Sequence, residues 1–244
     1  MKDIVSFIKS LRKKKSGDFM ENKSFKEPQL SASILNANKI ELHSKIVELD
    51  GLLDYIHIDV MDGVFVPNKT DGIDMFKNAK RTENKPLDVH LMVENPIQVI
   101  SNFDGASIIS FHIETIINSK SMTLDMNKFY ELAYEIKYMG AQVGVAIKPN
   151  TSVSLLRNIL NKIDVVVVMT VEPGYGGQKL IESTLEKIEK IREMGYTKSI
   201  EVDGGITCQN AIEPIKRGAD IIVAGTALFD ADDIYDAGWQ IKQK

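Results

Sequence analysis

From residue 29 onward, short runs rich in β-branched residues alternate with longer segments of helical period, and this alternation limits the possible folds more than any other feature. The β-rich runs predict eight strands, at residues 29–35, 54–60, 86–92, 106–111, 141–147, 164–170, 199–203 and 220–224. Helical segments are predicted between them, among others at 39–50, 122–139, 151–161, 180–194 and 209–217. Eight strands with intervening helices are the count of a closed (β/α)8 barrel, the TIM-barrel architecture.

The domain organisation follows from length and from the strand composition. A chain of 244 residues suits one α/β barrel better than two small domains. The run at 164–170 is almost wholly apolar and β-branched, as in a parallel strand buried on both faces. We therefore predict a single α/β domain, a (β/α)8 TIM barrel over 29–244, with an extra N-terminal extension at 1–28. A doubly wound open sheet is the alternative.

Composition excludes several classes of partner. The net charge of −4 is too small to indicate nucleic acid or an anionic membrane as the main partner. No apolar run approaches the roughly 20 residues that cross a bilayer, so the chain is not expected to span a membrane or to have one as its main partner. A single cysteine excludes an internal disulfide framework and a cysteine-rich metal site. These features predict a cytoplasmic protein.

The N-terminal extension differs in charge from the rest of the chain. Residues 1–27 carry eight basic and four acidic side chains, whereas the remainder carries 22 basic and 30 acidic ones. The block Arg12, Lys13, Lys14 and Lys15 dominates it. A targeting arm and a membrane-surface contact are open interpretations; the composition favours a solvated or partly helical tail, with Met20 as an alternative start.

Histidines and carboxylates recur at alternate positions of three predicted strands. His57 and Asp59 share one face of the second strand, His90 lies on the third, and Asp203 ends the seventh. The ends of barrel strands converge on one mouth, where burying these groups is costly unless a cation compensates. The four residues therefore predict a site for one divalent metal ion. Mixed nitrogen and oxygen ligation favours Zn²⁺, with Mn²⁺, Fe²⁺ and Co²⁺ as alternatives.

Three further residues of reactive type do not fit this pattern. His43 lies on the first predicted helix and His112 just beyond the fourth predicted strand, so neither is expected in the metal cluster. Cys208 is expected only to pack at the start of a helix.

Glycine-rich loops follow the last three predicted strands. Glycine allows a backbone to approach an anion closely and to turn its N–H groups towards it. The loops after the seventh and eighth strands are the usual phosphate site of this architecture. We therefore predict a phosphorylated substrate held by Gly174, Gly176, Gly177, Gly204, Gly205, Gly225 and Thr226.

Several motifs together resemble the ribulose-phosphate 3-epimerase family over residues 29–229. The matching stretches are Ser-Ala-Ser-Ile-Leu at 31–35, His-Ile-Asp-Val-Met-Asp-Gly at 57–63, Phe-Val-Pro-Asn at 65–68, Asp-Val-His-Leu-Met-Val at 88–93, residues 169–178, and Glu-Val-Asp-Gly-Gly at 201–205. The resemblance implies a metal-dependent enzyme of carbohydrate metabolism, an isomerase of the pentose phosphate pathway, that interconverts D-ribulose 5-phosphate and D-xylulose 5-phosphate. It also implies a homo-oligomer.

The resemblance assigns roles to individual residues. His57, Asp59, His90 and Asp203 would be the metal ligands, and Asp59 and Asp203 would also be the catalytic acid and base. Ser33, His90 and Asp203 would contact the substrate. Two carboxylates can move the C3 proton through an enediolate whose charge the metal ion stabilises. Met61, Met92 and Met169, near strand ends, are predicted to form an apolar cap over the substrate.

Three other functions are weighed against this one. An epimerase of a six-carbon ketose phosphate, such as D-allulose 6-phosphate, would keep every catalytic residue. A barrel decarboxylase or aldol-type synthase would carry an Asp-x-Lys-x-x-Asp strand, and the lysine is absent here. A non-catalytic binding protein would have lost a ligand or an acid/base residue, and all are present.

Overall fold

Eight parallel strands close into a barrel, which confirms the predicted fold class and excludes the open sheet. The computed structural model describes residues 27–118 and 123–243. Each barrel strand pairs with its neighbours in sequence, and the first pairs with the last. The strands are β1 (Gln29–Ser33), β2 (Leu53–Met61), β3 (Leu87–Met92), β4 (Ile108–His112), β5 (Gln142–Ile147), β6 (Val165–Met169), β7 (Ser199–Asp203) and β8 (Ile221–Ala224). All eight predicted strands are therefore present, with ends shifted by up to two residues.

Helices and turns connect the strands around the outside. The α-helices are α1 (Leu42–Glu48), α2 (Gly72–Thr82), α3 (Met126–Tyr138), α4 (Glu186–Glu193), α5 (Ile212–Lys216), α6 (Thr226–Phe229) and α7 (Ile234–Gln243). Short 3₁₀ helices lie at Pro96–Gln98, Ile100–Phe103, Ile113–Ile116, Val153–Asn158, Leu160–Lys162 and Glu182–Leu185. A two-stranded hairpin pairs Ile117–Asn118 with Thr123–Leu124.

Four of the five predicted helices form as α-helices that begin later than predicted, and the fifth forms differently. α3 starts at Met126 because the Asp125 side chain accepts hydrogen bonds from the backbone N–H groups of Asn127 and Lys128, which caps the helix. The predicted helix at 151–161 is instead two 3₁₀ turns. Leu156 and Ile159 are buried three residues apart, the repeat that places side chains on one side of a 3₁₀ helix.

Two layers of apolar side chains hold the barrel together. The larger layer lies between the sheet and the helices and includes Ile56, Ile58 and Val60, the outward residues of β2. The smaller layer fills the barrel interior and includes Val165, Val167 and Met169. At the carboxyl ends of β2 and β3, the inward-facing positions are occupied by polar residues and by Met61 and Met92. These two methionines pack together at the mouth of the barrel. The fold thus places the polar side chains inside the barrel at the carboxyl ends of the strands, and the apolar side chains in the two layers around and below them.

The extension at 1–28 stays a prediction. Residues 1–26 of it lie outside the described part of the chain, and β1 begins immediately after it. Within residues 27–118 and 123–243, no helix has both the length and the apolar character needed to cross a membrane.

Candidate metal and substrate site

The four predicted ligands lie together at the carboxyl ends of three strands. His57 and Asp59 come from β2, His90 from β3 and Asp203 from the end of β7. Asp59 and His90 are register partners across the β2–β3 pair, so their side chains point to the same face of the sheet. All four side chains are buried. The closed barrel therefore brings together residues that lie far apart in the sequence.

The donor atoms of the cluster have the spacing that a small cation requires. Asp59 Oδ1 lies 3.3 Å from both His57 Nε2 and His90 Nδ1, and Asp203 Oδ2 lies 3.3 Å from His90 Nδ1 and 3.8 Å from His57 Nε2. Bonds of about 2.0–2.1 Å in a tetrahedron give donor separations of about 3.3–3.4 Å. Buried His90 Nδ1 has no hydrogen-bond partner among the described residues. The cluster therefore fits a divalent metal ion.

The charges of the cluster depend on one another. Burial alone would lower the pKa of His57, but Asp88 and Asp59 outweigh burial and hold that pKa well above 6.5. Burial likewise opposes charge on His90, whose pKa Asp203 and Asp59 nevertheless raise. Burial would raise the pKa of Asp59, yet the two histidines hold it well below its ordinary value. Positive charge between these carboxylates is therefore strongly favoured, whether protons or a metal ion supply it.

A second polar layer lies directly beneath the cluster. Asp88 Oδ2 is 2.7 Å from His57 Nδ1 and accepts a 3.0 Å hydrogen bond from the Ser31 hydroxyl. The His57 Nδ1–H therefore points to Asp88, and Nε2 faces the cluster. Glu201 Oε1 lies 3.7 Å from the same Nδ1. Burial raises the pKa of Glu201 well above its ordinary value, and the charge of Asp88 raises it further, which favours the protonated form of this carboxyl group.

As expected, His112 is not one of the four clustered ligands, but it lies directly beside them. His112 is the last residue of β4 and fully buried, and its Nε2 lies 2.9 Å from Nε2 of His90. Its Nδ1 lies 3.1 Å from Oε2 of Glu114. Burial lowers the pKa of His112 to about 4 despite the opposing effect of Glu114, so the imidazole is neutral at pH 7. The other two residues set aside behave as expected: His43 is exposed on α1 and pairs with Glu83, and Cys208 packs against the core.

A cavity of about 260 Å³ opens directly above the cluster. Asp59 and Asp203 form part of its wall, while His57 and His90 are fully buried and do not line it. Every residue of the predicted substrate set except His90 lines it, namely Ser33, Met61, Met92, Met169, Gly174, Gly176, Gly177, Asp203, Gly204, Gly205, Gly225 and Thr226. The Ser33 hydroxyl donates a 3.1 Å hydrogen bond to Asp59 Oδ2. The cavity therefore joins the buried donors to the glycine-rich loops.

Close backbone packing shapes the glycine side of the cavity. Gly205 has φ +67°, and a Cβ there would lie 2.4 Å from the backbone nitrogen of Leu180 and 2.7 Å from the carbonyl oxygen of Gln178. Only glycine fits without movement of the loop after β6. Sequence reasoning missed Asn36 and Thr207, which also line the cavity. Asn36 directly follows the predicted first strand and Thr207 lies two residues after Gly205, but neither side chain belongs to a motif that singled it out.

The fold and this site define a class of barrel enzyme with a buried histidine and carboxylate cluster beneath a cavity. Comparison with known families narrows the class, because residues 29–229 match the model of the Ribulose-phosphate 3 epimerase family. The chain therefore belongs to the ribulose-phosphate 3-epimerase family, and it is an isomerase of the epimerase type.

Individual relatives agree with this assignment. The chain is 42% identical over 216 residues to the chloroplastic ribulose-5-phosphate-3-epimerase of Arabidopsis thaliana, a match covering 85% of this chain and 74% of that protein. It is 39% identical over 215 residues to the ribulose-phosphate 3-epimerase of Methanocaldococcus jannaschii, covering 86% and 87% respectively. Identity at this level extends over nearly the whole barrel.

Solved structures of more distant proteins share the fold. A structure of KGPDC from Streptococcus mutans superposes with a TM-score of 0.69 at 14% identity, over 89% of this chain and 97% of that one. The 3-hexulose-6-phosphate synthase of Salmonella typhimurium gives 0.64 at 18% identity, over 88% and 97%. At such low identity these likenesses support the barrel architecture alone.

Proposed function

We propose that this protein epimerises a ketose phosphate at C3, interconverting D-ribulose 5-phosphate and D-xylulose 5-phosphate, with Asp59 and Asp203 as the acid and base. One observation carries the proposal: both carboxylates line the same cavity and both approach the same nitrogen of His90. They come from β2 and β7, which β1 and β8 separate around the barrel. The names of the relatives in Arabidopsis and Methanocaldococcus support the substrate.

The chemistry needs one proton removed at C3 and another returned on the opposite face. One carboxylate takes the proton and the other, protonated, gives one back; the roles exchange in the reverse direction. The Ser33 hydroxyl holds Asp59 in place by its hydrogen bond to Oδ2, which leaves Oδ1 towards the histidines. Met61 and Met92, almost fully buried at the mouth, exclude water from the reacting carbons.

His57, Asp59, His90 and Asp203 would hold one divalent ion, and Zn²⁺ suits two imidazoles with two carboxylates. When bound, the ion supplies positive charge that offsets the negative charge developing on the substrate oxygens. The glycine loops after β6, β7 and β8 line the other side of the cavity, where their backbone can approach a phosphate group. Assembly into a homo-oligomer and a cytoplasmic location stay predictions.

The test is turnover on two substrates with three matched Asp→Asn variants. We expect the wild type to convert D-ribulose 5-phosphate and to place solvent deuterium at C3 of the product in heavy water. Asp59→Asn and Asp203→Asn should lose about 10²–10⁴-fold in kcat. Asp164→Asn is the control, because Asp164 precedes β6 at the other end of the barrel and pairs with Lys137 and Lys198.

Two results would contradict the proposal. Near-normal kcat in either cavity variant, with metal content unchanged, would exclude that carboxylate as acid or base. A higher kcat/KM for D-allulose 6-phosphate than for D-ribulose 5-phosphate would assign the protein to the six-carbon substrate instead.

A further inference from the structure

A series of hydrogen bonds leads away from the cluster, starting at the ring nitrogen of His90 that faces away from the other ligands. Nε2 of His90 lies 2.9 Å from Nε2 of His112, and Nδ1 of His112 lies 3.1 Å from Oε2 of Glu114. The ring centroids of the two histidines are 5.0 Å apart, with 26° between the ring planes. That separation is nearly the hydrogen bond plus the two ring radii, so the rings meet edge to edge through their nitrogens.

Glu114 is anchored at the far end of this series by the loop after β5. Its Oε1 accepts hydrogen bonds from the backbone N–H of Lys148, at 2.9 Å, and from the hydroxyl of Thr151. The Lys187 ammonium holds the same loop by donating to the carbonyl oxygens of Lys148 and Thr151. Oε1 is therefore occupied by two donors, and Oε2 is left for His112.

The direction of each hydrogen bond follows from this anchoring. A carboxylate only accepts, so His112 must carry its proton on Nδ1 and present a bare Nε2 to His90. His90 must then carry its proton on Nε2, which leaves the lone pair of Nδ1 directed at Asp59 and Asp203, 3.3 Å away in each case. The orientation of the outermost carboxylate thus determines which nitrogen of the ligand is available.

We propose that His112 and Glu114 are positioning residues that fix His90 in the tautomer whose Nδ1 can bind the metal ion. This proposal rests on the metal site of the proposed function, and it concerns metal affinity rather than turnover. The ring of Phe65 lies against His112 at 4.8 Å between centroids, with the Lys148 ammonium 3.7 Å from the centroid of the Phe65 ring. These contacts keep the His112 ring in the orientation that its hydrogen bonds to His90 and Glu114 require.

Glu114→Gln is the sharpest perturbation, since it preserves size while adding a donor. The Lys148 N–H and the Thr151 hydroxyl should keep the amide oxygen on their side, which turns the NH₂ group towards Nδ1 of His112. His112 then has to carry its proton on Nε2, facing the Nε2–H of a metal-bound His90. Two donors opposed in this way should weaken binding of Zn²⁺ by roughly 10–100-fold, measured by competition with a chromogenic chelator.

The control is Glu83→Gln, which alters a His–Glu pair outside the site. The exposed His43 has its Nδ1 3.2 Å from Oε1 of Glu83, whose side chain is largely buried, and this pair lies outside the cluster. This variant should bind Zn²⁺ within about twofold of the wild type. The same affinity loss in both variants, or in neither, would overturn the proposal.

A second measurement does not depend on any variant folding well. The chain has four histidines, so ¹⁵N imidazole spectra of the zinc-loaded wild type can be assigned residue by residue. We expect His112 protonated on Nδ1 and His90 on Nε2; His112 protonated on Nε2 would overturn the proposal. Absence of turnover on either sugar, with these tautomers and the affinity loss intact, would refute the proposed function and leave this inference standing.

Discussion

Comparison of Gly205→Ala with Gly140→Ala should separate two effects on stability, the backbone strain of a positive φ and the steric collision of an added methyl group. Gly205 and Gly140 both have positive φ, at +67° and +79°, so replacement by Ala strains the backbone at each. A Cβ at Gly140 meets nothing within 4 Å, whereas at Gly205 it would lie 2.4 Å from Leu180 N. The pair therefore compares strain alone with strain plus collision.

The expected magnitudes follow from these contacts. A left-handed conformation costs an L-residue about 1–2 kcal/mol, so Gly140→Ala should lower the unfolding free energy by that amount. The collision at Gly205 adds roughly 1–3 kcal/mol, typical of overpacking, because the obstructing atoms are backbone. At about 2–4 °C per kcal/mol for a chain of this size, Tm should fall by about 2–8 °C in Gly140→Ala and about 4–20 °C in Gly205→Ala.

The assay combines thermal unfolding with steady-state kinetics on the ketose phosphate. Gly205→Ala must move the loop around Leu180 next to the cavity, so KM should rise as well as Tm fall, while Gly140→Ala should leave KM unchanged. Equal losses of Tm with unchanged KM in both variants would refute the reasoning, since the close approach at Gly205 would then have no consequence.

Three further predictions concern the site. Zn²⁺ at 100 times its Kd should stabilise the metal-free protein by about 2.7 kcal/mol, or roughly 5–11 °C in Tm by calorimetry; a shift below about 1 °C would argue against binding by the native cluster. Ser33→Ala removes the hydrogen bond to Asp59, so kcat/KM should fall roughly 10–100-fold at unchanged metal content, and full activity would exclude a role for this hydroxyl. Burial would raise the pKa of Glu114, but hydrogen bonds from His112, Thr151 and Lys148 lower it from 4.5 to about 2. The wild type should therefore lose on the order of 3 kcal/mol between pH 4.5 and pH 2 through this group, and Glu114→Gln should lose that much less over the same range in urea titrations.

The barrel and its main cluster could be predicted because both depend on how residue types alternate along short stretches of sequence. A period of two along β2 and β3 places His57, Asp59 and His90 on the inner face wherever the strands end. Closure of the barrel then brings Asp203 to them, and neither step requires knowledge of packing.

The contact between His112 and His90 was missed because the fourth strand extends one residue further than predicted. The predicted strand ended at 111, whereas β4 ends at His112, whose side chain shares the inward face with Ile108 and Ser110. Glu201 and Asp88 lay at inward positions of predicted strands, yet the sequence could not show their function. Their roles depend on distances to His57 across the barrel, which alternation along one strand does not determine.

The cluster also has a consequence for the order of assembly. Its donors come from β2, β3 and β7, so more than half of the chain lies between Asp59 and Asp203. An ion bound there joins the early and late parts of the polypeptide, much as a cross-link would. A nascent chain that has completed only its first six strands lacks Asp203, so high-affinity binding of the ion requires the closing part of the barrel to have been made.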